Sequence, residues 1–328
     1  MKVLVTGATG YIGHQLAQSL AKKGITVHAL CRNINSAKVP DHENIVLFEG
    51  DICDSSAINK AIEACEYVFH TAAYTNLKCR NIHKFYQTNV VGTENLLEAS
   101  LKYNIKKFIY TSSLSVFGPS YKDVSITEKQ PRLAAYGNDY ELTKSMSEEK
   151  ILAYSKQGLP YIILNVTKVY GPGFKTFSSG VNKLIELIAK KDMLVVPDRM
   201  EVTANYVYVE DVVNAHIQAM ESNIISGKYI IGGDNLSYKQ LFQNIKKHTK
   251  SSIKIITINY QLLRSGLFFW DALRTVFGLP SSLTPAVLDA LFVNRKSVSC
   301  LAKRELNYSP VSFEHGLQQT IKKLNLIS

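Results

Sequence analysis

A chain of 328 residues is long for one hydrophobic core, which predicts a large domain carrying a smaller lobe. Its 46% hydrophobic content is that of an ordinary globular protein. No segment has the apolar length of a membrane span, so membrane contact is not expected. The net charge of +11 is dispersed, without the clustered basic stripe that nucleic-acid binding requires, and an anionic cofactor accounts for it as well.

The five cysteines (Cys31, Cys53, Cys65, Cys79, Cys300) are odd in number and lack C-x-x-C or metal spacing. They predict free thiols in a reducing compartment and no bound metal. A first strand starting at residue 2 leaves no room for a signal peptide, so the expected location is the cytoplasm.

The chain opens with an apolar run at 3–5, read as a buried parallel strand. Gly7, Gly10 and Gly13 follow, then a helix with Ile12, Leu16 and Leu20 on one face. This order places backbone N–H groups and a positive helix end where a pyrophosphate can sit. Gly7 supplies the tight turn, Gly10 lets the backbone approach phosphates, and Gly13 lets helix and strand pack closely. The glycines are spaced in threes rather than as G-x-G-x-x-G. Without the flanking strand and helix they would read as a ligand-free turn.

Further strands are predicted at 26–30, 45–49, 67–71, 107–113 and 161–166, with helices at 55–64, 81–102 and 139–157. The alternation predicts an α/β fold: a doubly wound parallel sheet of Rossmann type, with ligands beyond the carboxyl ends of the strands. Past Gly171-Pro-Gly the rhythm changes. A helix near 181–191, strands at 194–196 and 205–209 and a helix at 210–221 precede a mostly helical remainder. The predicted dinucleotide-binding domain is therefore 1–170, with 205–222 returning to it. The predicted substrate lobe, smaller and mostly helical, is 171–204 and 223–328. Within it, 262–279 is apolar and aromatic (Leu267, Phe268, Phe269, Trp270, Phe277). A core helix of the lobe is the expected reading, with a membrane-surface helix or an apolar substrate lid as alternatives.

Tyr140 and Lys144 lie four apart, which on a helix puts them on one face. An ammonium beside a phenol favours the phenolate and should lower the tyrosine pKa from about 10. Such a tyrosine can exchange a proton with a carbonyl or alcohol. Tyr-x-x-x-Lys alone is most often a solvated face; here it follows a strand ending Tyr110-Thr-Ser-Ser, whose hydroxyls lie at the carboxyl edge of the sheet.

With these residues in place, the chain resembles the extended short-chain dehydrogenase/reductases of the epimerase/dehydratase superfamily, over roughly 1–235 and more loosely beyond. The matching stretches are Thr6-Gly-Ala-Thr-Gly-Tyr-Ile-Gly, Gly50-Asp-Ile, His70-Thr-Ala-Ala, Asn89-Val-Val-Gly-Thr, Thr111-Ser-Ser-Leu-Ser-Val-Phe-Gly, Tyr140-x-x-x-Lys144, Val169-Tyr-Gly-Pro-Gly and Tyr208-Val-Glu-Asp-Val. The resemblance implies that Tyr140 is the acid/base, Lys144 its tuner and ribose ligand, and Ser113 the hydroxyl holding the reacting oxygen, with Ser112 as fallback. It implies Asp51 and Ile52 beside the adenine, and Thr71, Ala72, Ala73 and Val166 along the cofactor path. Thr9, Tyr11 and Ile12 lie with the glycines around the phosphates. It also implies a possible homodimer through the long helices.

An acid ending the second strand selects NAD, whereas an arginine there accommodates a 2′-phosphate. Here Cys31 stands where the acid is expected, with Arg32 next and Lys38 in the following loop. A guanidinium binds a phosphate bidentately, so NADP is favoured and NAD possible. Members acting on nucleotide sugars commonly carry Arg-Asp where this chain has Ala204-Asn205, and an arginine where it has Leu164-Asn165. Both departures point toward the dihydroflavonol-reductase-like and hydroxysteroid-dehydrogenase-like branch. The leading expectation is an NADP-dependent oxidoreductase passing a hydride between nicotinamide and a ketone/secondary-alcohol substrate. A nucleotide-sugar epimerase or dehydratase is the alternative. A non-enzymatic dinucleotide sensor is the third class, disfavoured because it has no physical need for Ser113, Tyr140 and Lys144 together.

Overall fold

The computed structural model describes all residues except 80, 122–123, 132–134, 177–178, 277–283 and 327–328. β1 (Lys2–Thr6) lies at the heart of the sheet: Val3 and Val5 enter one apolar layer and Leu4 the other, none exposed. A strand buried on both faces reads as a continuous apolar run. α1 (Tyr11–Lys22) lays Leu16, Ala17 and Leu20 on the first layer. β2 (Thr26–Cys31) and β3 (Ile45–Glu49) extend the sheet to one side.

α2 (Ser55–Ile62) is capped by the Asp54 carboxylate, which accepts from the Ser56 and Ala57 N–H groups. It leads to β4 (Tyr67–His70), which pairs with the free side of β1. α3 (Ile82–Phe85) passes through a π-helical stretch, Tyr86–Val91, into α4 (Gly92–Lys102) and then β5 (Lys107–Ser113). α5 (Asp139–Ser155) and β6 (Tyr161–Val166) continue the alternation.

The second half comprises β7 (Lys168–Tyr170), α6 (Gly180–Lys190), β8 (Met193–Pro197), β9 (Thr203–Tyr208), α7 (Val209–Glu221) and β10 (Ser226–Ile231). β11 (Asp234–Ser237), α8 (Tyr238–Thr249), β12 (Lys254–Ile258), α9 (Tyr260–Val276), α10 (Pro285–Leu291), α11 (Cys300–Glu305) and α12 (Phe313–Lys323) follow.

The main sheet is parallel throughout, in the order β3-β2-β1-β4-β5-β6-β10. The chain departs to one side from β1 and returns to the other at β4, so a crevice opens beyond the ends of those two strands. The lobe has its own core, built on Tyr170, Ile185, Tyr206, Leu241, Ile245, Phe313 and Leu317. Two small sheets, β11-β9-β7 and β12-β8, thread through its helices.

Three expectations shift. β10 lies beside β6, so 226–231 belong to the main sheet and not to the lobe. Of 205–222, the helix α7 packs on the main sheet, whereas β9 pairs with β7 and β11. α9 is not a core helix: Leu262, Phe268, Phe269, Trp270 and Leu273 are each more than half exposed. Phe277 lies outside the described residues.

Candidate active site

The turn after β1 depends on its glycines. Gly7 sits at φ +74°, a left-handed conformation that side chains rarely adopt, and a Cβ there would fall 2.6 Å from the Ala72 nitrogen. A Cβ on Gly13 would lie 2.3 Å from the Gly7 carbonyl oxygen and 2.4 Å from Thr71 Oγ1, so helix and strands touch backbone to backbone. Gly10 is the N-cap of α1 and its N–H donates to the Gly7 carbonyl at 2.8 Å. No side chain caps this helix, so its first N–H groups face the crevice uncapped. Thr71 Oγ1 donates to the Thr6 carbonyl at 2.7 Å, tying the end of β4 to that of β1.

The other sequence-selected positions spread around this turn. The Tyr11 ring is buried, its hydroxyl donating to the Gly171 carbonyl at 2.6 Å, so that side chain braces the lobe junction. Thr9 and Ile12 flank it, half-buried. Asp51 Oδ1 accepts from the Cys53 N–H at 2.9 Å, and Ile52 is buried against Gly92. Ala73 is half-buried just past Ala72, while Val166 is buried in the main core, in register with Ser113. Arg32 is exposed at the end of β2 and Lys38 is exposed in the next loop, its carbonyl accepting from His14 Nδ1 at 3.2 Å. Neither is in an ion pair among the described residues.

β5 and α5 bring the chemical groups together. Asn138 caps α5, its side chain accepting from the Glu141 N–H at 3.0 Å, and this presents Tyr140 in the first turn. Ser113, ending β5, is the hydroxyl that acts on the Tyr140 phenol, and it lies 2.9 Å from the Ser115 hydroxyl. Ser112 faces the other way and donates to Glu148 Oε1 at 2.5 Å, which removes it as the fallback. Burial pushes the Tyr140 phenol up to about 12, Ser113 pulling it down and Glu141 pushing it further up.

That shift reverses the expected sign. The fully buried Lys144 donates to the Thr111 carbonyl at 2.6 Å and sits 4.0 Å from the Tyr110 ring centroid. Burial lowers Lys144 to about 7 against the opposing pull of Glu148. An ammonium turned to that carbonyl and ring leaves desolvation in command of Tyr140.

Sequence reasoning missed the groups beneath this trio. Glu148, one turn beyond Lys144, accepts from Ser112 and Asn165 on Oε1, and from Lys228 on Oε2 at 2.7 Å. The spacing Tyr-x-x-x-Lys-x-x-x-Glu, one helical face continued, could have found it. Glu141 is held by Arg295 of the lobe at 2.6 Å and by the Gly137 N–H at 3.0 Å. The π-helical stretch frees the Asn89 carbonyl to accept from Ser147 at 2.6 Å, and the Asn89 side chain donates to Thr143 at 3.0 Å; both partners are on α5. His216 Nδ1 faces the Val212 carbonyl at 2.7 Å and so carries the proton, leaving Nε2 to accept from Thr111 at 2.7 Å. Among the described residues no cluster of His, Cys, Asp or Glu could hold a metal.

Comparison with known proteins places this geometry. A family model described as the NAD dependent epimerase/dehydratase family matches residues 3–232. The sterol demethylase protein B of Methylococcus capsulatus is 26% identical over 316 residues, covering 95% of this chain and 94% of that protein. The UDP-N-acetyl-alpha-D-glucosaminuronate decarboxylase of Bacillus cytotoxicus is 29% identical over 337 residues, covering 98% and 97%. Among solved structures, the UDP-glucose 4-epimerase of Thermotoga maritima with UDP-glucose superposes with a TM-score of 0.81 at 25% identity, covering 99% of both chains.

Proposed function

The chain belongs to the NAD dependent epimerase/dehydratase family, and on that premise we propose that it rearranges a nucleotide-linked sugar, with a nicotinamide dinucleotide recycled in each turnover. The observation that carries this reading is the end-to-end likeness to a UDP-glucose 4-epimerase, which extends through the lobe as well as the sheet. The leading sequence expectation, a ketone reductase, gives way to the alternative.

The residues present fit the dinucleotide. The close glycine packing at Gly7 and Gly13 and the uncapped start of α1 suit a pyrophosphate. Thr9, Gly10, Tyr11 and Ile12 would offer backbone groups to it, and Asp51 and Ile52 would border the adenine. Thr71, Ala72, Ala73 and Val166 would line the path toward Ser113. Arg32, exposed and outside any ion pair among the described residues, suits a ribose 2′-phosphate, with Lys38 assisting, so NADP is preferred over NAD. When bound, the nicotinamide accepts and returns a hydride, and its positive charge in the oxidised form favours a nearby phenolate.

The chain's own groups manage the proton. At rest, burial keeps Tyr140 protonated, ready to give its proton to a carbonyl oxygen; as phenolate it takes a proton from a sugar hydroxyl. Ser113 would hold that same oxygen, and Lys144 would hold the ribose. Asn205, where many nucleotide-sugar enzymes have aspartate after arginine, donates to the Gly233 carbonyl at 2.9 Å and to Asn235 at 3.1 Å. This structural use of Asn205, with alanine before it, favours a second reading: a hydroxysteroid- or dihydroflavonol-type substrate. Incubation with UDP-sugars, ketones and hydroxysteroids, each with NADPH, NADP, NADH or NAD, separates the two. A rearranged UDP-sugar supports the first reading; stoichiometric cofactor turnover on a ketone or alcohol alone supports the second.

A further inference from the structure

Exposed apolar side chains are concentrated in one part of the lobe. Leu262, Phe269, Trp270 and Leu273 stand at i, i+7, i+8 and i+11 along α9, so they share one face, and each is more than half exposed. On the β8–β12 ribbon, Val195 pairs with Ile256 and Met193 with Lys254, and all four are exposed on one side. Only Asn259 separates β12 from α9. Asp198, just past β8, fastens the junction, donating its N–H to the Ile258 carbonyl at 2.9 Å and accepting from the Tyr260 N–H at 3.0 Å.

The charges of α9 turn away from that face. Arg264 forks onto Asp289 of α10 at 2.9 Å and 3.0 Å, and the Tyr260 hydroxyl reaches the same carboxylate at 2.5 Å. Arg274 pairs with Asp271 inside the helix. The ions of α9 are thus paired off that face, while its aromatic side chains stand in solvent. Lys191 and Lys254, both exposed, border the ribbon and are in no ion pair among the described residues.

We propose that this face docks on an anionic lipid bilayer, with α9 lying in the plane of the interface. No helix among the described residues is long and apolar enough to cross a membrane, so the contact is interfacial. A tryptophan flanked by phenylalanine and leucine suits the headgroup–acyl boundary. The bordering lysines and the net charge of +11 complement anionic lipid. A second copy is the poorer occupant. A two-fold contact would press each lysine-edged patch against its own like charge.

Trp270 is the chain's one tryptophan, so its emission reports α9 alone. Mixing the protein with vesicles of phosphatidylcholine and phosphatidylglycerol should shift that emission to the blue and carry the protein into the pellet, less so as salt rises. Phe269→Ser should weaken partition about tenfold, and Lys191→Glu with Lys254→Glu should abolish the preference over pure phosphatidylcholine vesicles. All these variants should keep dinucleotide affinity, which certifies their fold. Unshifted emission with the protein left in the supernatant would overturn the proposal. So would a lipid-free, concentration-dependent dimer that Phe269→Ser dissociates.

Discussion

Burial, more than any neighbouring charge, sets the proton affinities of the two central groups, lifting Tyr140 to about 12 and lowering Lys144 to about 7. Tyr140→Phe removes the proposed proton donor while leaving the ring, so kcat should fall roughly 10²–10⁴-fold with dinucleotide affinity nearly intact. Steady-state kinetics beside a fluorescence titration of NADPH checks this. Lys144 loses its proton as pH rises through about 7, so a step needing the ammonium should fade on the alkaline side. Glu148 raises that pKa; Glu148→Gln should therefore move the alkaline limb of kcat/KM to lower pH, read from a pH–rate profile. Arg32→Ala should cost NADPH about tenfold in affinity and NADH little, measured by calorimetry. Tyr140 and Lys144 were legible as a pair from their spacing on one helix, and Ser113 only through the family resemblance. Glu141 was not, because its partner Arg295 comes from a remote element; the spacing places Glu148 on the same helical face but does not show its remote partners Lys228 and Asn165.

Most helices and strands follow from local pattern, and β3, β5 and β6 coincide with their predicted spans. Sheet membership does not follow locally. The apolar end of β10 satisfies either sheet, and only its pairing with β6 decides. The sequence of α9 carries aromatic residues suited to a core, yet Phe268, Phe269 and Trp270 stand exposed while Arg264 pairs with Asp289 of α10. α7 holds a different stress. Asp211 is buried, accepts from the Val311 N–H at 3.1 Å, and is raised to about 6, chiefly by burial. The folded state thus holds that proton more tightly than the unfolded chain, whose carboxyl titrates near 3.9. This stability is present below about pH 4 and lost as pH rises through 6. Asp211→Asn keeps an acceptor for Val311 and removes the charge. It should stabilise the fold by about 1–3 kcal/mol at pH 7, with the gain vanishing near pH 4, measured by urea denaturation.

Sheet and lobe meet over α5, the helix that carries Tyr140 and Lys144. The segment through Arg295 pairs with β9 at Ala204, reaches Ser120 through the Asn294 carbonyl, and closes on Glu141 beside Tyr140. The helix that presents Tyr140 is therefore fastened both to the parallel sheet and to the lobe, an arrangement that suits the proposed rearrangement of a sugar. If that is the chemistry, cofactor consumption and product formation are uncoupled. Incubation of the enzyme with a UDP-sugar panel including UDP-glucose and a substoichiometric amount of dinucleotide, followed by proton NMR of the sugars and absorbance of the cofactor, measures both at once. The result predicted is rearranged sugar in large excess over the cofactor supplied, with little net reduction, and its loss in Tyr140→Phe. One cofactor reduced for each sugar changed, or no sugar changed while a ketone or alcohol turns the cofactor over, would contradict it.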